Sequence, residues 1–448
     1  MDTTVPATSP QVMNRWLVVL GAILIQLCLG AIYAWSVFTP ALQTEPYNFS
    51  ATQTQVIFAV GLATFAVVMI LGGQWQAKAG PALVVRAGGV LLGLGYILAR
   101  FGGSSLPGLL ITVGVIAGAG IGLAYVVPIA VGVKWFPDKK GLITGLVVAG
   151  FGFGALLWIK VADPGGARLI ARIGVENVFM VYGIAFLVLV MLGSIWMKNP
   201  PAGWRPEGWE PANVGGNQVT GEHAHFEPRD MLRTPQFYML WAIFIFGSMA
   251  GLMVIGIIKL FGIDALQARG GLDEVQASAV AGTAMGVFFA ISNGIGRIAW
   301  GTLSDRIGRK ASFVIMMGTQ GLMMFAFFHM GGTPALLYVG AAVVGFNFGG
   351  NFALFPTATA DYFGNKNVGK NYGWVFTAYG VGGIAGPIMA GRFKDFGKAA
   401  IEGAASEADA LAAAMNAWYP AFIIAGAACL AAAVLGLLLK APKPPQAV

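Results

Sequence analysis

Gly301-Thr302-Leu303-Ser304-Asp305-Arg306-Ile307-Gly308-Arg309-Lys310 is a charged turn between two long apolar runs, and its glycines have counterparts 228 residues earlier. There the chain reads Gly73-Gln74-Trp75-Gln76-Ala77-Lys78-Ala79-Gly80-Pro81, so Gly73 matches Gly301 and Gly80 matches Gly308. The same offset pairs Gly141, Gly145, Gly152 and Gly154 with Gly369, Gly373, Gly380 and Gly382, and Pro128 with Pro356. Self-similarity at a fixed offset marks a duplicated unit. In a membrane chain, duplicated halves place a solute site between them near mid-membrane.

Composition puts the chain in a membrane. Of its 448 residues 57% are hydrophobic and 10% charged, with a mean hydropathy of +0.74; soluble domains carry about 25% charged residues. Apolar runs of ~20 residues recur along the whole length, each enough to cross a ~30 Å hydrocarbon core as a helix. The run beginning at Trp16 exceeds the roughly 7–15 residues of a signal-peptide core, so it reads as the first spanning helix. The pattern predicts an all-α membrane protein with twelve spanning helices, at 16–40, 53–75, 84–102, 107–134, 140–160, 177–197, 237–262, 276–301, 311–331, 334–361, 371–391 and 416–440. Residues 1–197 then form one six-helix half, 198–236 a hydrophilic linker, and 237–448 the second half.

Twelve crossings put both termini on one side. That side carries 17 Lys and Arg, the other side nine, and Arg297 is the remaining one of 27. The positive-inside rule makes the richer side cytoplasmic, which predicts a multi-pass protein of the cell (inner) membrane with both termini inside. The net charge of +8 is thus a topology signal, and no nucleic-acid partner is expected. Cys28 and Cys429 lie in predicted helices near opposite chain ends, which argues against a disulfide framework. His223 and His225 in the linker supply two ligands in a loop, too few for a metal site. No metal or cofactor is expected. The Gly150-Phe151-Gly152-Phe153-Gly154 cluster lies inside an apolar helix without a preceding strand, so it reads as helix packing and not as a nucleotide loop. No catalytic constellation stands out, and the chain is not read as an enzyme.

Arg297 is the residue that needs explaining. It sits within the apolar run 276–301, where an arginine at the bilayer centre costs about 2.5–3.5 kcal/mol on insertion scales. The sequence predicts no other Lys, Arg, Asp or Glu near the middle of a spanning helix, so its counter-ion is best supplied by an anionic substrate. The planar guanidinium can hold one carboxylate bidentately, and Asn293, four residues earlier, shares its helix face. The alternative is an arginine bonded to backbone carbonyls of neighbouring helices.

The quoted turn resembles the major facilitator superfamily signature G-x-x-x-D-R-x-G-R-[RK] at every fixed position. The resemblance implies that Gly301, Asp305, Arg306, Gly308 and Arg309 form a conformational latch; the Gly73 window lacks its Asp and Arg. A narrower resemblance rests on Asn14-Arg15-Trp16, Tyr33-Ala34-Trp35-Ser36-Val37-Phe38, Lys134-Trp135-Phe136-Pro137-Asp138-Lys139-Lys140-Gly141, Asn199-Pro200-Pro201-Ala202-Gly203-Trp204 and Asn371-Tyr372-Gly373. These are similar to the oxalate/formate antiporter family, which is related to the animal monocarboxylate transporters. Three departures qualify it. Tyr379 stands where oxalate carriers have a second cation, Ala34-Trp35 where the animal carriers have a lysine, and Asn293 where they have an aspartate.

The family resemblance implies transport of a small carboxylate, and it favours Tyr125 and Tyr379 as polar contacts beside Arg297. Asn293 and Tyr33 are further candidate polar contacts read from the residues themselves, and Phe151, Phe348, Phe352 and Phe376 are candidate apolar walls. With one cation in place of two, the expected substrate is a monocarboxylate of the lactate, pyruvate or formate type, with protons as a possible co-substrate. An oxalate/formate-type exchanger is the alternative. A membrane-embedded sensor or enzyme is the reading from a different class, and the lack of any soluble output domain argues against it.

Overall fold

In the computed structural model every one of these apolar runs is a helix. It describes residues 13–102, 105–136, 140–162, 168–201, 204, 206, 226–364, 367–440 and 442. The spanning helices are α1 (Arg15–Val37), α2 (Ala51–Ala79), α3 (Pro81–Gly102), α4 (106–135), α5 (Lys140–Ala162) and α6 (Val175–Ser194). The second set is α7 (Pro235–Gly270), α8 (274–307), α9 (Arg309–Met330), α10 (Pro334–Phe363), α11 (Val368–Phe396) and α12 (Tyr419–Leu438). Eleven are long and apolar enough to cross a membrane by composition alone. The twelfth, α11, is as long but carries Lys370, Asn371, Tyr372 and a run of glycines, and it lies between α2 and α7.

Two of the offset glycines share a backbone conformation. Gly80 joins α2 to α3 with φ 83° and ψ 158°, and Gly308 joins α8 to α9 with φ 85° and ψ 156°. This region is open essentially to glycine alone. Two glycines 228 residues apart therefore make the same one-residue reversal, each between a spanning helix and the next.

Helices α1 to α6 pack mainly among themselves, as in α3 on α6, α2 on α4 and α1 on α5; α7 to α12 do likewise, as in α8 on α10 and α9 on α12. The seam between the two sets is formed by α2 against α11, α5 against α8 and α1 against α7. We call the side holding residues 15 and 438 the terminus side, and the opposite one the far side.

Several helices run past their expected ends, α7 the furthest. The α7 run was expected to stop at 262 but meets no breaker until Gly271, whose φ of 64° caps the helix in the left-handed region. At ~1.5 Å per residue its 36 residues span about 54 Å, longer than a bilayer core. Lys259, counted from the sequence with the cations at the far end of a span ending at 262, therefore lies well inside the helix, 2% exposed, with Nζ donating to the Ser278 carbonyl at 2.8 Å. Helix α11 likewise extends to Phe396, where Lys394 pairs with Asp264 of α7 at 2.5 Å. Helix α12 begins at Tyr419, after a separate far-side helix Glu407–Asn416, and not at 416.

Candidate functional site

Arg297 lies on α8, 4% exposed, at the seam between the two sets of helices. Its Nε donates to Asn293 Oδ1 at 2.9 Å, the i to i+4 pairing that the helix face allows. Its Nη1 donates across the seam to the Val148 carbonyl of α5 at 3.2 Å. The backbone-bonded reading is therefore half met. Arg297 Nη2 and Asn293 Nδ2 are both buried without an acceptor, and no ion pair to Arg297 occurs among the described residues. A buried donor left unsatisfied costs about 1–3 kcal/mol, more when charged, so two on one helix face mark a place where an acceptor belongs.

Aromatic rings surround these donors. The Phe352 ring lies 4.1 Å from the guanidinium carbon and Phe151 5.8 Å from it, the first well inside cation–π range. Arg297 also acts electrostatically on the hydroxyls of Tyr33 and Tyr125, which face it from α1 and α4. Tyr33 and Tyr379 hydrogen-bond to each other through their hydroxyls at 2.9 Å. Phe348 and Phe376 complete the set, packing on Tyr33 and on Tyr379 at 5.7 and 4.9 Å between ring centroids. All nine residues named from the sequence thus meet around one point. None is more than 7% exposed, so the rings fill the site and close it from both sides.

Sequence reasoning missed Phe65 of α2. It is 0% exposed and touches Tyr125, Phe376 and Tyr379 at 5.1, 5.6 and 5.8 Å. The repeat held the signal, because Phe65 stands 228 residues before Asn293. The same offset relates Phe151 to Tyr379 and Val148 to Phe376. Each half offers the same three positions to the seam, and only the second half places the cation there.

Gly349 of α10 holds α8 in position. A Cβ there would lie 2.2 Å from the Asn293 carbonyl oxygen and 3.1 Å from the Arg297 nitrogen. These are backbone atoms, which cannot move aside cheaply, so only glycine lets α10 seat against the turn that carries both donors.

The expected latch residues divide. Gly301 lies within the last two turns of α8, Gly308 just beyond its terminus-side end, and Arg306 is exposed. Arg309 pairs with Asp361 at 2.8 Å and also bonds Ser304, tying the start of α9 to the end of α10 within one half. The Asp305 side chain lies outside the described residues, as do His223, His225 and most of the linker. Its last residues are anchored by Asn367 and Asn371, whose side-chain amides donate to the Phe226 carbonyl at 3.1 and 3.0 Å.

Comparison with known proteins agrees with this architecture. The sequence profile of the Major Facilitator Superfamily matches residues 24–387 and again 271–448. The chain is 32% identical to the MFS-type transporter YhjX of Escherichia coli K12 over 373 residues, covering 83% of this chain and 86% of that one. It is 27% identical to the oxalate:formate antiporter of Oxalobacter formigenes, covering 83% of each. It is 26% identical to apicoplast pyruvate carrier 1 of Toxoplasma gondii, covering 82% of each. Among solved structures, a bacterial homologue of the human lysosomal transporter Spinster, inward-facing and occupied, superposes with a TM-score of 0.66 at 15% identity, over 95% of this chain and 96% of that one. That likeness shows the fold.

Proposed function

The chain belongs to the Major Facilitator Superfamily, and within it we propose a secondary active transporter of small monocarboxylates, of the lactate, pyruvate or formate type, working by alternating access. The observation that carries this reading is the pair of unsatisfied donors, Arg297 Nη2 and Asn293 Nδ2, buried in an aromatic box at the seam. A carboxylate supplies two acceptor oxygens and the missing negative charge. The rings of Phe151, Phe348, Phe352 and Phe376 suit a short carbon chain, and Tyr33, Tyr125 and Tyr379 can bond a hydroxyl or keto oxygen beside the carboxylate.

Charge count favours a monoanion. A second carboxylate in this box would meet only tyrosine hydroxyls, and an uncompensated buried charge costs several kcal/mol. The likeness to the Oxalobacter oxalate:formate antiporter favours the second reading, exchange of oxalate for formate. Tyr379, in place of a second cation, weighs against it.

Coupling follows from what the interior lacks. Among the described residues the buried charged side chains are Lys259 and Arg297, with no Asp or Glu. A proton moving with the anion would therefore be carried at the loaded site itself, and proton symport is the preferred form. The charge asymmetry of the loops supports a cell (inner) membrane location with the terminus side cytoplasmic.

Thermal-shift measurement against a panel of mono- and dicarboxylic acids tests the substrate class, because a bound ligand stabilises by RT ln(1 + [L]/Kd). Stabilisation by lactate, pyruvate or formate but not by oxalate is expected. The reverse order would replace this reading with the exchanger. In liposomes, concentrative uptake driven by an inward proton gradient supports symport, and uptake that requires internal anion shows exchange.

A further inference from the structure

The far-side ends of α2 and α11 are joined by a contact that the carboxylate site does not use. Helix α2 starts after Ser50, whose hydroxyl accepts from Gln53 N at 3.1 Å while the Gln53 side chain accepts from Ser50 N at 2.8 Å. This capping box leaves the N–H groups of Ala51 and Thr52 without an intrahelical acceptor. Asp395, near the far end of α11, takes both: Oδ1 accepts from Ala51 N at 3.0 Å and Oδ2 from Thr52 N at 2.9 Å. A carboxylate placed at the positive end of a 29-residue helix is a charge-assisted contact, and here it crosses the seam.

Two neighbours tighten the same junction. A Cβ on Gly391, one turn before Asp395, would lie 2.8 Å from Thr52 Cα. One turn deeper, the fully buried Gln55 donates to the Gly256 carbonyl of α7 at 3.2 Å. Lys394 meanwhile faces its own half, pairing with Asp264 at 2.5 Å, and the Trp418 indole donates to that same carboxylate at 2.7 Å. The Lys394-Asp395 dipeptide thus binds α11 to its own half with one side chain and to the opposite half with the other. On the terminus side the seam glycines sit farther apart: a Cβ on Gly145 would be 3.6 Å from Ile298, and one on Gly373 3.7 Å from Ile70.

We propose that Asp395 is the latch of the far-side gate. It holds α11 to the first turn of α2 while that side is shut, and it must release both N–H groups for the side to open. The proposal does not depend on which anion is carried.

Leu62 of α2 reports on the gate. It is 0% exposed and lies deeper along the same seam, where a Cβ on Gly383 would be 2.8 Å from its Cδ1. Full-length protein carrying Leu62→Cys is treated with a water-soluble maleimide, with the buried Cys28 and Cys429 of the parent chain as background. Adding Asp395→Asn should raise the labelling rate on the order of tenfold, the scale of one lost charge-assisted hydrogen bond. Gly391→Ala, which wedges the junction without touching the charge, should raise it as well. Lys394→Gln breaks contacts within one half only, so it should lower thermal stability and leave labelling near the parent rate. Parent-rate labelling in both Asp395→Asn and Gly391→Ala overturns the proposal. So does an equal rise in Lys394→Gln, which would mean general loosening. If Asp395→Asn does not insert, Gly391→Ala measured against Lys394→Gln decides by the same criteria.

Discussion

Tyr33 and Tyr379 share a hydroxyl–hydroxyl bond of 2.9 Å although they belong to opposite halves, one on α1 and the other on α11. Both are buried, at 1% and 0% exposure, so neither hydroxyl has water to fall back on. Removing the Tyr33 hydroxyl takes away the hydrogen-bond partner of Tyr379, at a cost of about 1–3 kcal/mol, whereas loss of the Tyr379 hydroxyl leaves Tyr33 the Arg297 guanidinium beside it. Tyr33→Phe and Tyr379→Phe should each destabilise the unloaded protein, and the double variant should cost less than the sum. A double-mutant cycle on thermal stability reads the coupling. Additive costs would show that the two hydroxyls act independently.

Arg297→Ala should abolish uptake while the protein still inserts and purifies, and should erase the thermal shift given by wild-type substrates. Arg297→Lys keeps the charge but loses the planar fork and the Nε bond to Asn293, so it should also be severely impaired. Transport by the alanine variant at near wild-type rate would remove Arg297 from the site.

Tyr379→Lys should move preference towards dicarboxylates, because its ammonium would face the second carboxylate within the same ring of side chains. Competition against labelled lactate or pyruvate measures this. A variant that still rejects oxalate would mean that shape, not charge count, excludes it.

Gly349→Ala forces a Cβ to within 2.2 Å of the Asn293 carbonyl oxygen unless α8 or α10 shifts. Overpacking of this kind costs roughly 1–3 kcal/mol, and the shift displaces both donors. Substrate affinity should fall together with stability. Gly318→Ala on α9, with nothing within 4 Å of its Cβ position, serves as the neutral control.

Much of this molecule was legible because the bilayer restricts the choices. Backbone groups in hydrocarbon must be satisfied within the segment, so a ~20-residue apolar run has one outcome. The glycine offset went further, since Gly80 and Gly308 take the same rare backbone conformation. Arg297 stood out for its cost, family resemblance favoured Tyr125 and Tyr379, and the phenylalanines were candidates by their place in the apolar runs. Phe65 did not stand out, because one phenylalanine in an apolar run looks like packing until its partner across the repeat is known. Asp395 was missed for a different reason. It reads as an ordinary charge just past a span, and its partners are backbone N–H groups 343 and 344 residues away, which leave no mark in sequence. Lys259 was placed too near the far-side end because the true end of α7, at Gly270, lies eight residues past the expected one.

The unsatisfied donors beside Asn293 also bear on speed. If the proposed carboxylate binds here, Arg297 Nη2 and Asn293 Nδ2 gain an acceptor, whereas the empty carrier must cross a closed form that leaves both without one. One such donor costs about 1–3 kcal/mol, which slows that crossing by roughly five- to 150-fold. On the proposed reading, return of the unloaded carrier should be the slow half of the cycle. Substrate waiting on the opposite face should accelerate release of labelled substrate, and the ratio of exchange to net flux in liposomes measures how much of the turnover time is spent coming back empty.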